Sequence, residues 1–277
     1  MLNGGGYQLS LAAQIAKQFE IGDTATFDFR SGYAYSDSVV GNAGGSSTAG
    51  SNFEEVATKN FNSAVLGTSP NNNKHNITVN LTYSDEWFGD DLRSSISAFF
   101  RARSGRPLTL VYDANTDRDT FGDSDAEARS LLYIPTGESD PLVNFAEGFD
   151  TAGFFQFIRE QGLEDQMGQI IDRSSLEQPW STDIDLKFTQ EIPGFTSTDK
   201  FELSIDFENV LNFFNNSWGR QNYIRPGDVG EAVPVLGATI SDGVYTYSGF
   251  NADTVFRTQT DVEDTLWRIQ VGLKYRF

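Results

Sequence analysis

The chain has 277 residues, 38% of them hydrophobic, with 39 acidic against 20 basic side chains and a formal net charge of −19. Such a charge repels nucleic acid and excludes it as a partner, while a single histidine and no cysteine exclude a multi-histidine centre, a thiolate metal site and a disulfide framework. No apolar run approaches the roughly 18 residues of a transmembrane helix, and the mean hydropathy of −0.38 is what alternating strands give when a polar half dilutes an apolar half.

The opening MLNGGGYQLS lacks a basic n-region followed by an apolar h-region, so no signal peptide is expected in this sequence. Tyr7, Leu9, Leu11, Ala13, Ile15, Lys17 and Phe19 then alternate with Gln8, Ser10, Ala12, Gln14, Ala16 and Gln18. A period of two scatters these side chains around a helix but gathers them on one face of a strand. Gly22-Asp23 supplies a tight turn. Over Ala25–Tyr35, Phe27, Phe29, Tyr33 and Tyr35 oppose Thr26, Asp28, Arg30 and Gly32. Strands of roughly 11 to 13 residues exceed the globular mode of about 5 or 6 and approach the tilted membrane span of about 9 to 11.

Residues 36–74 lose the period and read as a long polar loop. Alternation resumes at His75–Tyr83, with Ile77, Val79, Leu81 and Tyr83 on one side. It continues over Leu92–Ala102, where Arg93, Arg101 and Arg103 share a face that must meet water or protein. Phe99 stands on that polar side against the pattern. Residues 113–179 form a second long polar excursion, with a short helix expected over Asp150–Gln161 and a further helical turn within 162–172. Trp180–Gln190 and Phe201–Phe207 are strands again. A third long loop covers 211–243, one more strand lies near Val244–Phe250, and Thr265–Phe277 closes the chain. The expectation is about eight long strands whose long connections fall on one rim.

In the last segment Trp267, Ile269, Val271, Leu273, Tyr275 and Phe277 oppose Arg268, Gln270, Gly272, Lys274 and Arg276. A soluble sheet would cover that apolar side with a core, and an outer-membrane barrel would turn it to lipid. The apolar row runs to the last residue, where soluble chains usually fray into polar ones. This ending, with an aromatic third from the end and a terminal Phe, resembles the C-terminal signature of bacterial outer-membrane β-barrels, which the barrel-assembly machinery reads. Tyr275 and Phe277 match it.

Further patches resemble the C-terminal third of TonB-dependent outer-membrane receptors, in particular the Oar-like branch that carries a carboxypeptidase-regulatory-like domain. They are Pro179-Trp180 with the Asp183/Asp185 strand, the Phe201–Phe207 strand, Asn209-Val210-Leu211-Asn212, Trp218-Gly219 and the closing Trp267–Phe277. Arg103-Ser104-Gly105-Arg106-Pro107 and Leu132-Tyr133-Ile134-Pro135 match as well. The resemblance implies an all-β, antiparallel up-and-down transmembrane β-barrel of about 22 strands around a plug, energised through an inner-membrane partner to import solutes. This sequence carries no plug, no TonB-contacting segment and too few strands for that barrel. Residues 1–277 are therefore expected to be one barrel segment in the outer membrane of a Gram-negative bacterium. Its partners would be outer-membrane lipid, the assembly machinery and, for a fragment, the remaining barrel and plug. Two other readings stay open: a self-contained barrel of about eight strands for adhesion or anchoring, and a soluble β-sandwich that binds carbohydrate through loop aromatics. An open sheet would leave two unpaired edges that hydrocarbon does not tolerate, so the chain alone is expected to be curled shut or non-native.

The densest acidic cluster is Asp117, Asp119, Asp123, Asp125 and Glu127. Counted from Asp117, an EF-hand loop would need oxygen ligands where Phe121 and Ala128 stand, which leaves a looser Ca²⁺ site or a solvated loop. His75 is the sole histidine and no Gly-x-Ser-x-Gly elbow is present, so neither catalysis nor a cofactor is expected. Asn76-Ile77-Thr78 and Asn80-Leu81-Thr82 fit the glycosylation pattern inside a strand, as chance matches. Tyr33, Tyr35, Tyr83, Trp87, Trp180, Trp267 and Tyr275 lie near strand ends, where an interfacial aromatic girdle would put them.

Overall fold

The computed structural model describes residues 5–41, 47–54, 56–59, 66–89, 91–113, 129–224, 232–255 and 258–277. The first strands are β1 (Tyr7–Ile21), β2 (Ala25–Val40), β3 (Gly67–Thr68), β4 (His75–Asp85), β5 (Ser94–Arg103) and β6 (Pro107–Tyr112). They are followed by β7 (Tyr133–Ile134), β8 (Val143–Phe145), β9 (Gln169–Ile170), β10 (Leu176–Glu177), β11 (Ser181–Pro193) and β12 (Lys200–Glu208). The last are β13 (Asn222–Ile224), β14 (Ala232–Ser241), β15 (Val244–Ser248), β16 (Thr258–Thr260) and β17 (Arg268–Arg276).

The protein is mainly β, and its largest sheet has the order β1-β2-β4-β5-β11-β12-β17, with β3 paired to β2 off this path. Every neighbouring pair along the path is antiparallel. Register carries the alternation across the whole sheet. Lys17, Phe29, Leu81, Ala98, Leu186, Phe207 and Ile269 form one cross-strand row, and Phe19, Phe27, Tyr83, Ile96, Phe188, Ile205 and Val271 form another. The row between them, Gln18, Asp28, Thr82, Ser97, Lys187, Asp206 and Gln270, points the other way. A slip of one residue in any strand would turn its whole apolar set onto the polar face, so the pattern itself fixes the register. The three short connections, at residues 22–24, 86–93 and 194–199, lie on one rim and the three long ones on the other. Gly22, at φ 65, makes the tightest of these turns possible.

Among the described residues this wall is open: β1 and β17 are its edges and do not pair with each other. The strand expected near Val244–Phe250 exists as β15 but lies outside the wall, which therefore has seven long strands rather than about eight.

The buried core lies beside the wall, in the long connections. Residues 113–179 and 211–243, read from the sequence as polar excursions, join β6 and β15 in a lobe around a second sheet of order β10-β6-β14-β15-β8, in which β14 pairs with β6, and β15 with β8, in parallel. Every residue of β6 is buried. The helix Thr151–Glu160 starts where Asp150 accepts from the Gly153 N–H at 2.9 Å, and it buries Phe154, Phe155, Phe157 and Ile158. A single helical turn follows at Glu164–Gln166. Phe145, Phe149 and Phe250 pack around this helix in edge and tilted contacts with ring centroids 5.2–6.2 Å apart.

Three tyrosines lock the lobe. The Tyr247 hydroxyl donates to the Tyr133 carbonyl at 2.6 Å, and the Tyr133 N–H donates to the Tyr112 hydroxyl at 3.1 Å. With its proton so committed, Tyr247 accepts from Tyr112 at 3.0 Å. Burial pushes the Tyr112 and Tyr247 phenols far above their usual range; burial, together with the Asp140 carboxylate, pushes Tyr133 up to about 12. All three stay neutral hydroxyls at any ordinary pH. Replacing Tyr247 by Phe leaves a buried carbonyl and a buried hydroxyl short of partners and is expected to destabilise the lobe by about 1–3 kcal/mol. Leu110→Ala, at a fully buried position, is expected to cost about 2–5 kcal/mol. Denaturant melts followed by near-ultraviolet circular dichroism, which reports the packed aromatic rings, check both.

Candidate functional site

The most unusual surface is the apolar face of the wall, because nothing among the described residues covers it. Ile15, Val271 and Leu273 are 67%, 65% and 67% exposed, and Leu9, Leu11, Ile96 and Ile269 are exposed as well. The six residues singled out in the closing segment, Trp267, Ile269, Val271, Leu273, Tyr275 and Phe277, are all exposed. An uncovered apolar area of this extent on a folded chain marks an interaction surface. Lys17 is the one charge in its central rows, and its ammonium swings 5.8 Å from the Phe19 ring centroid, toward the short-turn rim.

Aromatic rings gather at both ends of this face. On the long-connection side His75 stacks on Trp180 with centroids 5.9 Å apart and contacts Tyr33 and Tyr35, while Phe207, Phe213 and Trp267 form a second group. On the short-turn side Trp87 stacks between Tyr83 and Phe188, and Tyr275 packs against Phe195, Phe201 and Phe277. Between the bands the face is mainly apolar, with Phe29 and Phe100 set among aliphatic side chains. His75 is thus an aromatic member of the upper band, its Nδ1 hydrogen-bonded to the Tyr33 hydroxyl at 2.8 Å.

The opposite face is polar and internally paired. Arg101 meets Asp183 at 3.1 Å, Lys187 meets Asp206 at 2.7 Å, and Glu191 receives Lys200 at 2.9 Å and Arg276 at 3.7 Å. The arginines of β5 therefore face carboxylates and hydroxyls, Arg103 donating to Ser181 Oγ at 2.9 Å. A hollow of about 660 Å³ lies on this side, lined by Gln14, Arg30, Asn76, Thr78, Asn80 and Phe99 among others, so the polar face is concave over β1, β2, β4 and β5. The out-of-pattern Phe99 sits in its floor, in register between Asn80 and Asp185.

Residues that carry the family resemblance tie the wall to the lobe. Asn209, at φ 49, donates its backbone N–H to Asp185 at 2.8 Å and its side-chain amide to the carbonyls of Gly219 and Thr265, at 2.8 and 2.6 Å. Asn212 donates to the Trp218 carbonyl at 3.1 Å. One buried asparagine thus gathers the end of β12, the middle of β11 and the approach to β17. In the Arg103–Pro107 segment, buried Ser104 exchanges hydrogen bonds with the His75 backbone at 2.9 and 3.0 Å. At Gly105 a Cβ would lie 2.0 Å from the Gln178 carbonyl oxygen, so only glycine fits. Gln178 in turn clasps the Ile224 backbone through both ends of its amide, at 2.8 and 2.6 Å. Leu132 and Ile134 are fully buried in the lobe core.

Two anchoring residues escaped the sequence reading. Buried Arg173 reaches from the lobe to the carbonyls of Val40 and Gly41 at the end of β2. Asp199 accepts from the Phe195 and Thr196 backbone, the Thr196 hydroxyl and the Tyr275 hydroxyl, tying the terminal strand to the neighbouring turn. An arginine in a polar stretch and an aspartate in a turn carry no periodic signal, so neither stood out.

Asp117, Asp119, Asp123, Asp125 and Glu127 lie outside the described residues. Among those described, no group of three or more His, Cys, Asp or Glu side chains could hold a metal ion, and no helix is long and apolar enough to cross a membrane. No family model, curated protein or solved structure matches the chain.

The hydrogen bond from the Thr196 hydroxyl, followed by that from Tyr275, holds the Asp199 carboxyl well below its ordinary range. A carboxyl depressed on folding adds stability above its unfolded value, near 3.9, and that stability is lost as pH falls from there toward the folded value. Stability of the wild-type chain is thus expected to fall as pH drops below about 4. Asp199→Asn should be less stable above that range and lose this part of the acid slope, as read from guanidinium midpoints across a pH series.

Proposed function

We propose that the chain forms part of the wall and the external lobe of an outer-membrane β-barrel of the TonB-dependent receptor kind, serving solute binding or uptake. The observation that carries this reading is the uncovered apolar face, in register over the whole wall and bounded at both ends by aromatic rings. From Trp267 to Phe277 the chain runs about 34 Å, and a strand tilt of about 40° brings that height near 26 Å, against an apolar band of about 25 Å in outer-membrane barrels. Water-facing pairs and a hollow on the concave side fit a barrel interior. The lobe, built entirely from the long connections, would stand outside the membrane, where such barrels carry their ligand-contacting loops.

A soluble β-sandwich is disfavoured on the same ground: its apolar face would be packed on a second sheet about 10 Å away, and here no second sheet of the described residues lies on that face. The first test is lipid contact. Reconstituted in phosphatidylcholine vesicles, Trp180 and Trp267 are expected to lose fluorescence when the acyl chains carry bromine. A monodisperse, detergent-free protein whose tryptophans ignore bromine would overturn the reading. Substitutions supply the second test. Val79→Arg, in the middle of the apolar face, is expected to destabilise the inserted protein by about 2–4 kcal/mol, whereas Thr82→Arg on the concave face is expected to be tolerated. Urea titration in vesicles, followed by the loss of the heat-modifiable gel band, measures both.

A further inference from the structure

The direction of the wall strands restricts what can complete the sheet. β1 runs from the long-connection rim at Tyr7 to the short-turn rim at Ile21, and six antiparallel pairings later β17 runs the same way from Arg268 to Arg276. The two edges are therefore parallel to each other. Direct closure of β1 on β17 would make a parallel seam in a wall that has none, and seven strands are fewer than the roughly eight of the smallest spanning barrels. A second copy inserted in the same orientation offers no remedy, since its β17 meets the first copy's β1 in parallel again. A copy that paired β1 with β1 antiparallel would put its lobe on the opposite side of the membrane.

The need for a partner is nonetheless strong. All 15 residues of β1 are exposed and its outer edge is unpaired, a state that hydrocarbon penalises at every free backbone group. Among the described residues no further long strand is free to add to the wall. The longest segment outside the described residues, 114–128, carries five acids and a single large apolar side chain, Phe121, so its sequence offers no apolar row to turn to lipid.

Building on the membrane-wall reading, we infer that the sheet is completed by an odd number of antiparallel strands from a polypeptide segment of different sequence. The strand beside β1 and the strand beside β17 both run from the short-turn rim to the long-connection rim. Each has alternating apolar residues turned to the same side as Leu9, Leu11 and Ile15. The fitting partner is thus a transmembrane β-segment of defined direction and odd count, rather than a second copy of this chain.

The native chain has no cysteine, so introduced thiols report strand pairing directly. The probe is a synthetic peptide of the β5 sequence, residues 94–103, with Arg103→Cys at its C-terminus, because β5 runs from the short-turn rim to the long-connection rim and does not pair with β1 in the wall. It is added to vesicle-inserted chain bearing Gln8→Cys at the long-connection end of β1, or Gln18→Cys at the other end. Antiparallel addition predicts a disulfide with Q8C and its loss with Q18C. In parallel, Gln14→Cys is combined with Gln270→Cys, Gly272→Cys or Lys274→Cys, and no β1 to β17 disulfide is expected within or between chains. A link through Q18C, no capture of the peptide, or any β1 to β17 disulfide overturns the inference. Failure of the membrane-wall reading is separable, because it appears as tryptophans that bromolipid does not quench, whatever the cross-links.

Discussion

The structure depends on one constraint, the two-residue period of side chains held in register over the whole width of the wall. Each strand alone has an apolar and a polar side; antiparallel pairing without a slip turns these into two continuous surfaces of opposite character. The concave surface satisfies itself, as Arg101 with Asp183 and Lys187 with Asp206 illustrate. The convex surface cannot, because nothing among the described residues packs on it. Whatever the protein does must include covering that face.

The lobe solves a different problem. Its core is ordinary, a helix and a small sheet packed around phenylalanines and tyrosines, and it would be at home in water. It must also hold a fixed position on the rim of a wall that offers only strand ends for attachment. The fixing is polar and local: Asn209, Ser104, Gln178 and Arg173 each bind backbone groups from separate segments. Backbone carbonyls and amides at strand ends lack ladder partners, so a side chain that reaches them both satisfies them and sets an angle.

The wall was largely legible in the sequence, since a period of two over nine or more residues leaves little ambiguity between strand and helix. The helix at Thr151–Glu160 was legible for the corresponding reason, its apolar residues clustering on one side. The second sheet was not. β6 reads PLTLVY and is buried on both faces, so it shows no alternation, and β14 pairs with it in parallel from far along the chain. Periodicity cannot reveal such a pairing: β6 drew no assignment, and β14 lay within the stretch 211–243 read as a loop. Of the surface read as lipid-facing, the closing strand stood out because its pattern reaches the chain end. The anchoring roles of Asp199 and Arg173 depend on contacts between distant segments and had no local trace.

The parallel pairing of β6 with β14 has a consequence for the order of folding. These strands come from two different long connections, with β11 and β12 lying between them in sequence. The lobe therefore cannot finish its core until both of those wall strands have been made and brought to the rim. Closing so large a loop costs little once the wall has already drawn its ends together, and considerably more if it has not. The wall thus acts as the template on which the lobe condenses, and damage to the hairpin β11-β12 would leave β6, buried along its whole length, stranded without its mate.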